Sequence, residues 1–345
     1  MIFLEITVKF YPTDLFSDQR PGPLRAAGRH GGAWVIFQRD RFAYAGRPRF
    51  WGLWSGASVA SIALQEITAG IAFPAAGNPA QYVWEKAYAR AGLDWRYLTL
   101  EVPPGHLEAA ARGMLALGFR GFHCSNPHKS TVVPLLGQLT PAAAAIGAVN
   151  CVYRQGDQWI GDNTEGKGCL RALRALDDLA GKKIVVFGDG RAARAVAVEL
   201  ALMPPAEIGP QVITIVSRHE EHGTQLVEQL HALGQSSAHW NAWHGDFEIP
   251  VDVEIAIHAT PLGSHDSQTR VPINISSIRA DMIVADLVYD SVDTRLLREA
   301  RERHARTVDG LAMLVEQTLL DFQLWTGVDT DQDLIADSLE EFLSV

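Results

Sequence analysis

One strand–turn–helix signature constrains the fold of this chain more than any other stretch of its sequence. The run VVFGDGRAARA joins an apolar strand to a helix, and it reads G-x-G-x-x-A at Gly188, Gly190 and Ala193. The first glycine permits a tight turn, the second lets a pyrophosphate approach the backbone, and the small third residue lets helix and strand pack closely. The helix N-terminus, which begins with Arg191, attracts phosphate. The motif therefore predicts a dinucleotide site, and a tight turn without a ligand is the alternative.

Further apolar strands follow this signature and extend it to a whole domain. The runs VITIVSR, EIAIHATPLGS and MIVADLVY each provide a strand, so residues 166–314 are predicted to form a doubly wound Rossmann domain. Ligands of such folds lie outside the carboxyl ends of the strands, which places Thr260 and Pro261 near the cofactor. On spacing alone, this segment is only a turn.

The end of the second strand in this domain indicates which dinucleotide binds. NAD-specific sites usually place Asp or Glu there, whereas this strand ends in Ser217 and Arg218. A guanidinium suits a 2′-phosphate, so NADP is predicted, with NAD as the alternative. Glu220 and Glu221 follow at once and weaken this argument, and an exposed arginine at a helix start is the other interpretation.

Residues 67–165 show a similar alternation of short strands and helices. The runs AGIAFP, WRYLTLEV and FRGFHCS predict strands, and AQYVWEKAYARAG and LEAAARGMLALG predict helices that end at Gly92 and Gly118. This alternation predicts a second α/β domain before the Rossmann domain. Residues 1–66 are rich in Gly, Pro and Arg at their centre and form an extension that the patterns leave unassigned.

The composition excludes several classes of function. The 345-residue chain has a net charge of −10 and no basic tract, which argues against a nucleic-acid partner. No apolar run reaches the ~18 residues that a membrane span needs. The three cysteines lack metal-ligand spacing and suit a reducing, cytoplasmic compartment. No metal site is predicted, since His106, His128, His239 and His244 have no metal-ligand spacing either. A small-molecule enzyme or binding protein is the class that remains.

A polar loop and several later motifs occur in a fixed order. Lys129 follows a proline-fixed turn in FHCSNPHK, either as a solvated loop end or as an ammonium that meets a substrate oxygen. The other motifs are AVNCVY, GDNTEGKG, FGDGRAARA, HATPLGS, DLVYDSVDTRLLREA and VDGLAMLVEQTLLDFQLWTG. With these motifs, the chain resembles the shikimate/quinate dehydrogenase family from about Ile67 to Gly327.

The resemblance implies a fold and a reaction. The implied fold is an N-terminal α/β substrate-binding domain over 67–165, a Rossmann NADP-binding domain over 166–314, and a C-terminal helical segment, 315–345, that returns to the first domain. The implied reaction is hydride exchange between a nicotinamide and a ring hydroxyl of a cyclic hydroxy acid. Lys129 matches the family's catalytic lysine, and Glu165 occupies the position of its catalytic aspartate.

The resemblance also implies further roles and shows departures from the family pattern. In the substrate site, His-Cys-Ser replaces an N-V-T run, which makes His123 and Ser125 substrate-binding candidates; a strand-end histidine bonded to backbone is the alternative for His123. The S-x-S pair that holds the substrate carboxylate becomes Asn78-Pro79-Ala80, of which Asn78 can donate and Ala80 cannot. This predicts an altered carboxylate clamp. The remaining matches are Asn150 on the ring hydroxyls, Gln317 and Tyr289 beside the substrate, and Gly310 and Met313 beside the nicotinamide.

These features lead to one hypothesis and two alternatives. The chain is predicted to be an NADP-dependent oxidoreductase for a shikimate- or quinate-like hydroxy acid, or a related polyol or amino analogue. It is expected to act as a monomer or homodimer. One alternative is a non-catalytic binding protein on the same scaffold, which the altered clamp and Glu165 favour. The other is a different two-domain enzyme, such as a folate-linked dehydrogenase, which the C-terminal motif disfavours.

Overall fold

A computed structural model describes residues 65–203, 209–235, 237–291 and 293–343 of the chain, together with four residues nearer the N-terminus. Those four form strands β1 (Phe37–Gln38) and β2 (Arg41–Phe42), which pair antiparallel. The chain divides into two units, residues 1–63 and residues 64–345. The rest of the predicted extension up to residue 64 lies outside the described residues.

The first large sheet has six strands of mixed direction in the order β4-β3-β5-β7-β8-β6. Its strands are β3 (Glu66–Ala72), β4 (Trp95–Glu101), β5 (Gly121–Cys124), β6 (Gln138–Leu139), β7 (Cys151–Gln155) and β8 (Gln158–Asp162). Strand β7 runs antiparallel to both β5 and β8, and the other pairs are parallel. The helices of this region are α1 (Ala80–Arg90), α2 (Leu107–Ala116), α3 (His128–Thr131) and α4 (Pro141–Ile146).

The second large sheet has six parallel strands in the order β11-β10-β9-β12-β13-β14. Its strands are β9 (Lys183–Phe187), β10 (Val212–Ser217), β11 (Ala238–Ala242), β12 (Ile255–His258), β13 (Ile283–Asp286) and β14 (Arg306–Val308). The helices are α5 (Glu165–Arg174), α6 (Arg191–Leu202), α7 (Glu220–Ala232) and α8 (Arg295–Glu302). This is the strand order of a Rossmann fold, in which the order reverses beside β9, where ligands bind.

The last two helices, α9 (Gly310–Thr326) and α10 (Gln332–Leu343), return to the first sheet. On α9, the Trp325 indole donates a hydrogen bond to the Val152 carbonyl of β7 over 2.9 Å. Strand β5 supplies Gly121 at this point, since any Cβ there would overlap both the indole and that carbonyl. The predicted fold class, two α/β regions with a C-terminal helix that contacts the first, is therefore confirmed. The domain limits at 67, 165 and 314 stay predictions.

Burial explains why these segments fold as they do. Strands β9, β10, β12 and β13 are almost wholly buried, because helices cover both faces of a parallel sheet. Helix α9 buries Phe322 and Trp325 with Trp84 and Tyr88 of α1, so its aromatic residues serve packing. Among the described residues, no helix is long and apolar enough to cross a membrane.

Candidate functional site

A cavity of about 1150 Å³ opens beside the carboxyl ends of strands from both large sheets. Its walls come from the segment after β3, from the β5–α3 loop, from the start of α6 and from the loop after β12. Helices α1, α9 and α10 and the segment after β13 also contribute to the lining. The cavity is large enough for a drug-sized or larger ligand, and its position is the one expected for ligands of a doubly wound fold.

Lys129 and Glu165 form an ion pair in the wall of this cavity. The Lys129 side chain is 24% exposed and the Glu165 side chain 19%, so the pair is partly shielded but can be reached from the cavity. Lys129 lies in the short helix α3, where its carbonyl accepts a 2.7 Å hydrogen bond from the Val149 amide. Glu165 begins α5. The structure thus brings together the two residues that the sequence assigns to proton transfer.

A chain of hydrogen bonds lies behind this pair. The Asn150 amide group donates to Thr164 Oγ1 over 2.8 Å and accepts from the Thr164 amide over 2.7 Å. Thr164 Oγ1 donates to Asp321 Oδ1 over 2.7 Å. His123 Nε2 lies 3.0 Å from Asp321 Oδ2, and its Nδ1 lies 3.0 Å from the Tyr97 hydroxyl. The network links β4, β5 and α9 with the residues that directly precede β7 and α5.

Sequence reasoning missed Asp321, Thr164 and Tyr97. Asp321 carried a signal, because it lies in the apolar pattern of α9 beside Phe322 yet is a carboxylate, and it is 1% exposed. A buried carboxylate needs hydrogen-bond donors, so such a residue in a core position indicates a polar network. Thr164 and Tyr97 had no comparable signal.

The other predicted substrate residues lie around the same cavity. Asn78 accepts a 2.9 Å hydrogen bond from the Ala80 amide at the start of α1, which leaves its amide nitrogen to donate. Ser125, Gln317 and Tyr289 also line the cavity. Tyr289 is 48% exposed, so it lies at the rim. Ala80 lines the cavity as well and adds no polar side chain there.

The glycine turn before α6 fits a dinucleotide pyrophosphate. Gly188 has a φ of +125°, and a Cβ on it would lie 3.0 Å from the Ala259 carbonyl, so only glycine suits this position. A Cβ on Gly190 would meet open space, which leaves room for a ligand at the helix N-terminus. Ala193 is fully buried, so helix and strand pack closely behind the turn.

Arg191 is the first residue of α6 and lines the cavity. Its guanidinium donates a 3.1 Å hydrogen bond to Asn126 Oδ1, across from the Rossmann sheet to the β5–α3 loop. Thr260, Pro261 and Met313 also line the cavity. Gly310 is buried where its backbone passes the Val288 carbonyl so closely that a Cβ would overlap that carbonyl. The structure therefore places Arg191, Thr260, Pro261 and Met313 in the cavity lining and Gly310 outside it.

The end of β10 holds the groups predicted to read the cofactor ribose. Ser217 is 2% exposed, and its hydroxyl accepts a hydrogen bond from the Trp240 indole of β11 over 3.0 Å, so it is bonded within the Rossmann region. Arg218 is exposed, and neither residue lines the cavity. His219, which follows Arg218 at this strand end, has its Nδ1 3.1 Å from Asp189 Oδ2 in the glycine turn; the sequence had not indicated this contact.

Burial changes the acidity of several groups near the site. It raises the pKa of Glu199 on α6 to about 7, and Oε1 of Glu199 has no hydrogen-bond partner among the described residues. Burial also raises the pKa of the Cys124 and Cys151 thiols, which are 1% and 0% exposed. Buried thiols with raised pKa values are poor nucleophiles, so these cysteines serve packing.

Comparison with known proteins agrees with this geometry. Residues 74–152 match the family model described as shikimate dehydrogenase substrate binding domain. Shikimate dehydrogenase (NADP(+)) from Desulforamulus reducens is 34% identical over 274 residues, which cover 78% of this chain and 92% of that protein. The chain belongs to the shikimate/quinate dehydrogenase family. The resemblance inferred from the motifs is confirmed, and the chain is a shikimate-dehydrogenase-like NAD(P)-dependent oxidoreductase.

Two solved structures extend the comparison. Ligand-free 5-ketofructose reductase of Gluconobacter sp. strain CHM43 is 36% identical with a TM-score of 0.77, and the match covers 81% of this chain and 99% of that one. A shikimate dehydrogenase in complex with NADP+ is 30% identical with a TM-score of 0.72, covering 80% and 95%. Proteins of similar fold and sequence are therefore named after different substrates.

Proposed function

We propose that the chain catalyses NADP-dependent hydride exchange with a small polyhydroxylated ketone or its alcohol, with Lys129 as the acid/base and Glu165 as its partner. One observation carries this proposal: the Lys129–Glu165 ion pair lies in the wall of a cavity that the Rossmann glycine turn also borders. The pair supports an enzyme over a non-catalytic binding protein, because a binding scaffold has no need of a proton donor at this point.

The pair suits proton transfer to an alkoxide. Reduction of a ketone needs a proton at the forming alkoxide, and oxidation of the alcohol needs one removed. The Lys129 ammonium has three N–H donors, and Glu165 engages one side of it, which leaves the others for a substrate oxygen. The carboxylate also fixes the direction of the ammonium. Glutamate reaches one methylene farther than the family's aspartate, which suits a substrate displaced by roughly 1 Å.

The cofactor half of the cavity, together with Arg218 outside it, suits NADP. The open space at Gly190 and the N-terminus of α6 would hold the pyrophosphate, with Arg191 beside it. Arg218 at the end of β10 is free of any hydrogen bond or ion pair among the described residues, so its guanidinium is available for a 2′-phosphate. When bound, the cofactor supplies or accepts the hydride.

The charge balance of the cavity bears on the substrate. Its described lining holds two permanent cations, Lys129 and Arg191, which already contact Glu165 and Asn126. It holds three carboxylates: Glu165, Asp290 and Asp321. A substrate carboxylate would lack a dedicated cation and would meet Ala80 where the family has a hydroxyl.

This balance favours an uncharged polyhydroxylated ketone over a shikimate- or quinate-like hydroxy acid, which is the second candidate. The match to a 5-ketofructose reductase supports the first candidate, and the match to shikimate dehydrogenases supports the second. For an uncharged substrate, the Asn78 amide nitrogen, Ser125 and Gln317 provide neutral hydrogen-bonding groups around the ring.

A substrate panel tests the proposal. We would follow NADPH consumption with 5-ketofructose, 3-dehydroshikimate and 3-dehydroquinate, and repeat each assay with NADH. The expected result is turnover of the uncharged ketone with a higher kcat/KM than either acid. A higher kcat/KM for 3-dehydroshikimate would select the second candidate. Binding of NADPH without turnover of any ketone would contradict both and favour a binding protein.

A further inference from the structure

A buried chain of three side chains ends at the cofactor wall of the cavity. His258, the last residue of β12, has Nδ1 2.9 Å from Asp286 Oδ1 and Nε2 2.5 Å from Thr260 Oγ1. The His258 and Asp286 side chains are both 0% exposed, whereas Thr260 is partly exposed and lines the cavity. None of the proton-transfer groups described above contacts this chain, so its role is separate from theirs.

The other partners of Asp286 determine where the His258 proton lies. Asp286 accepts from the Val288 amide over 3.2 Å and from the Thr294 hydroxyl over 2.7 Å. Its third partner, His258 Nδ1, must therefore donate as well, since a carboxylate has only acceptors. A neutral imidazole with its proton on Nδ1 satisfies both neighbours and adds no charge to a fully buried ring. Its Nε2 then accepts, so the Thr260 hydroxyl donates inward.

This arrangement determines which hydrogen bonds the Thr260 hydroxyl can make with a ligand in the cavity. Its hydroxyl proton points to His258, and its oxygen also accepts from the Leu262 amide over 3.3 Å. The capacity that remains is a lone pair, so Thr260 presents an acceptor and no donor to a ligand. A Cβ on Gly188 would lie 3.2 Å from Thr260 Cγ2, which places Thr260 beside the glycine turn.

We propose that Asp286 and His258 are positioning residues that fix Thr260 as a hydrogen-bond acceptor for the nicotinamide riboside half of the cofactor. Thr260 lies beside the glycine turn and borders the same cavity as Lys129 and Met313. The donors in that half are the carboxamide NH₂ and the ribose hydroxyls. The inference rests on the dinucleotide binding proposed above.

Equilibrium binding of NADPH to the full chain, followed by fluorescence, tests the inference. Thr260→Val keeps the shape and removes the acceptor, and we expect its Kd to rise about 5- to 10-fold. Thr260→Ser restores the hydroxyl and should bind within twofold of the natural chain. Asp286→Leu keeps the shape of the side chain and removes the acceptor for Nδ1–H, so the ring proton moves to Nε2, where the Thr260 oxygen can accept it, and Thr260 becomes a donor toward the ligand. Its Kd should rise at least as much as that of Thr260→Val.

The double variant Thr260→Val/Asp286→Leu provides the decisive comparison. If Asp286 acts through Thr260, the double variant binds no more weakly than Asp286→Leu alone, because the acceptor is already lost. Multiplied effects, or a Thr260→Val Kd within twofold of the natural chain, would overturn the inference. His231→Gln is the control, because His231 makes a 2.9 Å hydrogen bond with the Ala238 carbonyl in the same Rossmann region and does not line the cavity.

Two further measurements show whether the variants are folded and which group of the cofactor binds Thr260. Melting temperatures show whether Asp286→Leu is folded; if it is not, the Thr260→Val and Thr260→Ser pair decides alone. An acetylpyridine analogue of the cofactor lacks the carboxamide NH₂. If the carboxamide is the donor, Thr260→Val weakens the binding of NADPH but not that of the analogue. If the ribose is the donor, Thr260→Val weakens the binding of both. If the natural chain binds no NADPH, the proposed function fails as well.

Discussion

Replacement of Lys129 by methionine tests the proposed proton transfer directly. Lys129→Met keeps the length of the side chain and removes the ammonium, which is 24% exposed beside Glu165. Acid–base catalysis by a positioned group contributes about 10²- to 10⁴-fold, which corresponds to about 2.7–5.4 kcal/mol of activation free energy. We expect kcat to fall by that factor while the Kd for NADPH stays within twofold, because Lys129 lies on the substrate side.

The chain offers a matched control for this variant. Lys182 precedes β9, at the end of the strand opposite the glycine turn, and its side chain is 25% exposed in an ion pair with Glu254 over 3.0 Å. Lys182→Met therefore removes an equally exposed ammonium far from the cavity and should leave kcat unchanged. Similar losses in both variants would show a general effect of the lost charge and refute the catalytic role.

The partner of Lys129 makes the test sharper. Lys129→Met leaves the Glu165 carboxylate, 19% exposed, without its cation, which costs about 1–3 kcal/mol of stability. The double variant Lys129→Met/Glu165→Gln removes that unpaired charge. It should recover melting temperature but no kcat, since residues that act as one unit show non-additive losses. Retention of more than a tenth of the natural kcat in Lys129→Met would exclude Lys129 as the acid/base.

Three further predictions address the cofactor, the pH dependence and the Asp321 network. Arg218→Ala should raise the KM for NADP about 10-fold or more and that for NAD little; equal changes would contradict a phosphate contact. Burial raises the pKa of Glu199 from 4.5 to about 7, so the folded state holds that proton more tightly and loses stability as pH rises through 7. Glu199→Gln should therefore gain melting temperature over the natural chain at pH 8 but not at pH 4; a gap independent of pH would contradict this. Asp321→Asn should lower the free energy of unfolding by about 1–3 kcal/mol in urea titrations, because a buried acceptor is replaced; an unchanged midpoint would show that the network contributes nothing.

Much of the fold could be predicted because its signals are local. The glycine turn, the apolar run before it and the helix after it lie within a few consecutive residues, and β9 and α6 occupy that stretch. The predicted helix AQYVWEKAYARAG corresponds to α1, and Gly92 after it has a φ of +69°. Hydrophobic periodicity and glycine conformation act over one or two turns of chain, so the sequence shows them directly.

The candidate site was predictable only where a known family pattern covered it. Lys129 and Glu165 are 36 positions apart, and the motifs around each one indicated a shared cavity. Asp321 was not found, because its partner His123 lies 198 positions away and no local pattern connects them. The hydrogen-bonded side chains Asp286, His258 and Thr260 could not be predicted for the same reason. Parallel strands β12 and β13 bring them together only in the folded sheet.

By itself, the sequence determined the two α/β regions, the dinucleotide turn and the lysine–glutamate pair as candidates, since each depends on short-range patterning or on ordered motifs. Only the tertiary structure decided which polar groups face the cavity and which are already bonded elsewhere. Ser217 illustrates the difference: its position at the end of β10 suited a contact with the cofactor ribose, yet its hydroxyl is hydrogen-bonded to Trp240 inside the Rossmann region. Hydrogen-bond capacity is a property of the three-dimensional neighbours of a side chain, and those neighbours come from distant parts of the sequence.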